Sequence, residues 1–157
     1  MIYKNSINSL LILLREDLLI ELRKLCEQKG NLETGGILIG IYDLELKSAI
    51  VTKVIGPPAD SKHGRFTFIR GTRGVKENLE EFWKEGEYYL GEWHFHPNAL
   101  PTASSQDVNQ MKKIAKNQIY KCPEPLMLII GQDGEDFIES FYISIKGADL
   151  IRFYKES

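Results

Sequence analysis

Two cysteines are all the thiols in this chain of 157 residues, and Cys26 and Cys122 form no CxxC pair. Isolated cysteines with no secretory leader point to reduced thiols and a cytoplasmic setting. Cys26, at a helical apolar position, reads as a small core residue. No leader is expected. Leu10 to Leu14 is apolar but short, Arg15, Glu16 and Asp17 close it, and no small-residue cleavage pattern follows. No stretch reaches the length of about 18 apolar residues that marks a membrane span, so no membrane partner is expected. Neither sign of charge dominates: 20 Lys and Arg stand against 22 Asp and Glu, for a net charge of −2. A chain that grips phosphate backbones is usually far more basic, so nucleic acid is not expected as a partner. Repeats, low-complexity tracts and Pro/Ser linkers are missing as well, and residues 1–157 read as a single domain. The 43% hydrophobic and 27% charged content excludes a mainly disordered chain and suffices for one core.

Periodicity supplies the elements. Leu10 to Leu14 can be a first strand. Glu16 to Lys29 predicts an amphipathic helix with Leu18, Leu22, Leu25 and Cys26 inward, followed by Gly30 where a helix C-cap favours glycine. Gly36 to Tyr42 is almost wholly apolar, as in a central strand covered on both faces, and Ala49 to Ile55 suits an antiparallel neighbour. A turn-rich loop, Gly56 to Lys62, runs on to a short strand, Arg65 to Ile69. Thr72 can open a second helix ending near Glu85, with Val75, Leu79, Phe82 and Trp83 inward and an acidic outer face. Tyr88 to His96 reads as a strand, and Ser104 to Gln118 as a third helix with Val108, Met111, Ile114 and Ala115 inward. Leu126 to Ile130 is a buried strand, and Gly131 to Gly134 a hairpin turn into Phe137 to Ile145. The class is α/β: a mixed, largely antiparallel sheet packed by about three helices.

Chemistry concentrates in Gly91 to Asp107. His94 and His96, two of only three histidines, are two apart on a strand, so both rings leave one face and can reach one metal ion. Pro97 ends the strand at once. A catalytic zinc takes three protein ligands and keeps one open position. Asp107, in the first turn of the following helix, is the best third ligand. Such an ion brings the pKa of its water to about 7, and a base must then move the proton. Glu33, in ETGG before the central strand, is the candidate. Gly35 and Gly36 leave the backbone bare enough for a substrate chain to pass. Each feature also has a plainer reading: SSQD starts a helix, strand histidines can be structural, and a glutamate before two glycines can be a turn residue. Their conjunction is what favours a site.

His94-x-His96-Pro97, followed by a loop to Ser104-x-x-Asp107, resembles the JAMM motif of the JAB/MPN+ metallopeptidases. The loop length and the upstream Glu33 in ETGGILIG match that family in order and spacing, and the element order fits its fold from Leu10 to Ile145. Phe95, where many members have Ser or Thr, and Ala103, where many have Pro, depart from the pattern. Each is expected to change local packing only. The resemblance implies a JAB/MPN-like, cytidine-deaminase-like fold, one Zn2+ on His94, His96 and Asp107, Glu33 as general base and proton donor, and Ser104 as hydrogen-bond donor to the oxyanion. Members cut peptide or isopeptide bonds after the tail of ubiquitin or a ubiquitin-like protein. A thin tail is expected to enter beside Gly35 and Gly36 as an added strand, walled by Gly56 to Arg65 and Asn117 to Glu124.

YLGEWHFHP, with GGILIG and PPADS upstream, looks most like the small JAB peptidases of bacterial antiphage (CBASS) operons. That likeness implies a substrate whose C-terminal tail, that of a cyclic-oligonucleotide synthase of the nucleotidyltransferase class, was linked to lysine by an E1/E2-like enzyme. A processing peptidase for a ubiquitin-like sulfur carrier would use the same residues, and a non-catalytic MPN scaffold would usually lack ligands. Two residues keep open readings. Glu92 shares the histidines' face and can either orient a ligand or make a surface salt bridge. His63 is either a solvated loop residue or a substrate contact. Lys112, Lys113, Lys116 and Lys121 read as a solvated helix face, and Trp93 and Phe95 as core.

Overall fold

The computed structural model describes every residue except 8, 46 and 146–148. The chain runs β1 (Ile2–Lys4), β2 (Leu11–Leu14), α1 (Glu16–Glu27), β3 (Thr34–Asp43), β4 (Ser48–Ile55), β5 (Lys62–His63), β6 (Phe68–Ile69), α2 (Val75–Lys84), β7 (Tyr88–Phe95), α3 (Ser105–Lys116), β8 (Leu126–Asp133), β9 (Asp136–Ile143) and β10 (Ile151–Lys155). Among the described residues the three helices and the mixed, mostly antiparallel sheet are as expected, but the sheet does not stay open. It closes into a barrel in the order β1-β10-β9-β8-β7-β3-β4-β2. β1 and β10 make the closure, pairing with each other and with β2 and β9. The hydrophobic pattern marks neither strand: β1 is too short for a period of two to register, and Arg152 and Lys155 break up the apolar residues of β10.

The parallel pairs are β2 with β4 and β7 with β8. Parallel neighbours need a long crossover, and helices lie in both connections: α1 between β2 and β4, and α3 between β7 and β8. That second crossover builds the site, because it returns α3 over the end of β7. Two cores result. Leu38, Trp93, Phe95, Leu128 and Phe141 pack with Leu18, Leu22 and Cys26 of α1 on one face. Ile37, Ile39, Met127 and Ile129 pack with Val75 of α2 and Met111 and Ile114 of α3 on the other. β8 alternates between the two cores, which accounts for its unbroken LMLII run. Both thiols are free and buried, as a core reading requires, and burial pushes both above the usual thiol range, Cys122 to about 11.

Several local expectations shift. Arg65 to Ile69 is not one strand. Only Phe68 and Ile69 are extended, and they pair with Lys62 and His63 in a separate two-stranded hairpin. α2 begins at Val75 behind Gly74, whose φ of 75° glycine tolerates, and Thr72 lies outside it. Trp83 is exposed instead of inward, with Lys121 Nζ 4.0 Å over its ring. The β8–β9 turn is Gly134–Glu135, between the paired Asp133 and Asp136, so Gly131 and Gln132 belong to the strand. No described helix is long and apolar enough to cross a membrane.

Candidate metal centre

His94 sits on β7 with its backbone opposite Gly35 of β3 and Ile129 of β8. His96 lies just beyond the strand, where its N–H donates to Ile130 O at 2.8 Å and extends the parallel ladder by one step. Both rings are buried. α3 brings the aspartate to them. Ser104 caps the helix through a reciprocal pair: the Asp107 N–H donates to Ser104 Oγ at 3.1 Å, and the Ser104 N–H donates to Asp107 Oδ2 at 2.8 Å. The capping box therefore fixes the Asp107 carboxylate as well as the helix start. Asp107 is the hub of the cluster, with Oδ1 2.8 Å from His94 Nδ1 and Oδ2 3.3 Å from His96 Nε2.

The electrostatics follow from this packing. Burial works against a charged Asp107, but hydrogen bonds from His94 and His96 outweigh it and hold the carboxyl far below the usual range. Burial likewise opposes charge on His96, and the hydrogen bond to Asp107 reverses the balance and raises its pKa. Each of His94, His96 and Asp107 offers one ligand atom, and these lie within 4.8 Å of one another. His94 Nε2 is buried and has no hydrogen-bond partner among the described residues. Such a nitrogen is costly unless something meets it, and two imidazoles with one carboxylate are a donor set suited to zinc. The residues present therefore fit a divalent metal.

Glu33 stands one residue before β3, half-buried. Burial raises its carboxyl above the ordinary range, His96 and His94 pull it back, and Asp107 pushes it up again. A carboxylate so raised is better matched to proton transfer near neutrality. Glu33, His96 and Ser104 line one cavity of about 590 Å³. Its rim carries Arg65 and two large exposed apolar side chains, Phe66 at 85% and Leu100 at 69% exposure.

Gly35 and Gly36 do not admit a substrate strand. Their strand lies between β4 and β7, and both glycines are buried. A Cβ on Gly36 would lie 1.9 Å from Ile55 O. One on Gly35 would lie 2.4 Å from Trp93 O and 2.7 Å from both His94 Cδ2 and Phe68 Cε2. The missing side chains make room for the neighbouring strands and for the His94 ring. Gly35→Ala is accordingly expected to lower stability by about 1–3 kcal/mol through overpacking, as read by chemical denaturation, and to displace His94. The expected walls also divide. Arg65 reaches the site cavity, whereas residues 118–121 and 121–124 line two other cavities, and Gly56 lines a third.

The sequence matches the family described as prokaryotic homologues of the JAB domain over residues 15–144. The chain belongs to that family. A protein of Enterobacter hormaechei subsp. hoffmannii named CD-NTase/cGAS isopeptidase is 48% identical over 108 residues, which is 69% of this chain and 60% of that protein. The chain thus spans about three fifths of that relative's length. A protein of Sinorhizobium fredii named probable metalloprotease y4qB is 24% identical over 117 residues, 72% of this chain and 71% of that one. In fold, the solution structure of protein DSY2949 from Desulfitobacterium hafniense aligns with a TM-score of 0.68 at 20% identity, covering 90% of this chain and 88% of that one.

Within this JAB domain, Glu92 takes neither of its expected forms unchanged. It does face the histidines' side, but it is fully buried, and its salt bridge is to Arg70, also buried. Arg70 donates further to Gly71 O and to the Tyr120 hydroxyl, so β6, β7 and the segment after α3 meet at one guanidinium. Burial pushes the Glu92 carboxyl up and the Arg70 charge counters it. His63 is not a solvated loop residue. It is half-buried, and its Nδ1 lies 3.0 Å from Glu33 O. Trp93 and Phe95 are core, with Trp93 Nε1 donating to Ile55 O at 2.9 Å. Arg70, Tyr120 and Phe68 carry no local signal of their place. Each meets the site region through contacts far apart in the chain.

Proposed function

We propose that this JAB domain is a zinc-dependent isopeptidase that cuts the bond between the C-terminal tail of a conjugated protein and a lysine. The conjugated protein is a cyclic-oligonucleotide synthase, attached by an E1/E2-like enzyme in bacterial antiphage defence. The observation that carries the hydrolase reading is the convergence of His94, His96 and Asp107 at the end of β7 beside the cavity lined by Glu33. The substrate reading draws on the name of the 48%-identical Enterobacter protein, CD-NTase/cGAS isopeptidase.

In this reading His94, His96 and Asp107 hold one Zn2+. When bound there, the ion would supply Lewis-acid chemistry to the scissile carbonyl and to the attacking water. Glu33 takes a proton from the attacking water at a carboxylate oxygen and returns it to the leaving lysine amine, so one side chain is base and then acid. Ser104 Oγ accepts the helix-capping hydrogen bond through a lone pair, which leaves its O–H to donate to the developing oxyanion. Phe66 and Leu100 receive apolar groups of the tail at the cavity rim.

The test incubates the purified protein with a tagged synthase–lysine conjugate and, in parallel, with a ubiquitin-like sulfur carrier bearing a C-terminal extension. Cleavage of the conjugate alone is expected. A chelator should abolish it and added zinc should restore it. Trimming of the carrier alone would replace the substrate, and undiminished cleavage in the chelator would remove the metal from the reaction.

A further inference from the structure

We infer that His63 is a positioning residue for Glu33: the β5–β6 hairpin uses its ring to fix the backbone of Glu33, and with it the reach of the carboxylate into the site cavity. The inference rests on the role proposed above for Glu33.

Glu33 lies outside the barrel ladder, whose first β3–β7 pair is Thr34 with Phe95. Its backbone is held instead by the hairpin, on both sides. The Glu33 N–H donates to Gly64 O at 2.8 Å, and the Glu33 carbonyl accepts from His63 Nδ1 at 3.0 Å. A carbonyl only accepts, so its partner fixes the ring as the Nδ1–H tautomer.

The hairpin that makes these bonds is itself braced. His63 pairs with Phe68 across the strands, and Gly64 N–H donates to Thr67 O at 2.8 Å across the turn. Phe68 is buried, with its ring 5.1 Å from that of His63 and edge-on to His94 at 5.3 Å. Its edge occupies the space that a side chain on Gly35 would take. One chain of contacts therefore ties the base, the hairpin and a metal-ligand ring into a fixed arrangement. Proton transfer requires hydrogen-bond reach, and an error of about 1 Å in such a group costs up to about 100-fold.

The test compares His63→Ala with His63→Asn, whose amide N–H can take the place of Nδ1–H. His63→Ala is expected to lower kcat on the lysine-linked conjugate by about 10- to 100-fold with KM and metal content unchanged, and His63→Asn to restore most of it. A loss carried by KM in both variants would make the ring a substrate contact and overturn the inference, as would wild-type kcat in His63→Ala. A second readout needs no substrate. Long-range 1H–15N correlation of the histidine rings in mildly alkaline buffer should show His63 as the Nδ1–H tautomer, and the Nε2–H tautomer would overturn the inference. A wild type that cleaves no conjugate but shows Nδ1–H would count against the isopeptidase reading while still supporting the clamp.

Discussion

Glu33→Gln is expected to lower turnover of a lysine-linked conjugate by about 10²–10⁴-fold, the range that a positioned acid–base group supplies, while metal content stays at the wild-type level. Glutamine keeps the shape of the side chain and its place at the cavity wall, but an amide cannot accept the proton of an attacking water or return one to an amine. The carboxylate lies outside the His94, His96 and Asp107 cluster, so metal should be retained. The raised pKa of Glu33 comes first from burial and then from the balance of His96, Asp107 and His94 around it. A carboxyl raised in this way gives up and takes back a proton more readily than an ordinary glutamate at neutral pH. Single-turnover cleavage paired with elemental analysis reads the two quantities separately. Wild-type turnover would take the base role away from Glu33, and loss of metal would make it a ligand.

Asp107→Ala is expected to produce the opposite pattern, with metal and activity lost together. The Asp107 carboxylate faces His94 Nδ1, His96 Nε2 and the Ser104 N–H, and its own N–H is held by Ser104 Oγ. Removing it takes away a metal ligand and the carboxylate half of the cap on α3. In the chelated protein, the buried partners left unsatisfied should each cost about 1–3 kcal/mol of stability. Asp107→Asn separates the effects, because an amide oxygen can still accept from the Ser104 N–H while serving zinc poorly. Its metal-free stability should lie between wild type and Asp107→Ala, because the cap is kept but the charged partner of the imidazoles is lost, with metal binding still lost. Denaturation of chelated proteins beside metal titration makes the comparison. Tight metal binding by Asp107→Ala would remove Asp107 from the ligand set. His96→Ala should lose metal and activity without disturbing the cap.

The parts of this site that were legible in the sequence are those written in local periodicity. His94 and His96 share a face because a strand alternates, Pro97 stops the strand, and SSQD caps a helix whose first turn carries Asp107. What was not legible depends on residues meeting across the fold. Glycines at 35 and 36 suggest an open path when the chain is read alone, yet a neighbouring strand backbone and the His94 ring occupy that space. Glu92 has a partner in Arg70, which is remote in sequence and follows a two-residue strand too short for a pattern to build up. His63, in a glycine-flanked polar stretch, has the composition of a solvent loop, and only the hairpin places its ring on Glu33. Barrel closure escapes for a related reason: β1 and β10 are short, and the pairing that closes the barrel joins the two ends of the chain.

X-ray absorption at the zinc edge of the purified protein tests the His94, His96 and Asp107 centre directly. One zinc per chain is predicted, in a shell of nitrogen and oxygen alone, with outer-sphere scattering from two imidazole rings that falls to one ring in His96→Ala if any metal remains. Sulfur in the shell, scattering unchanged in His96→Ala, or failure to bind zinc would contradict a centre built from His94, His96 and Asp107.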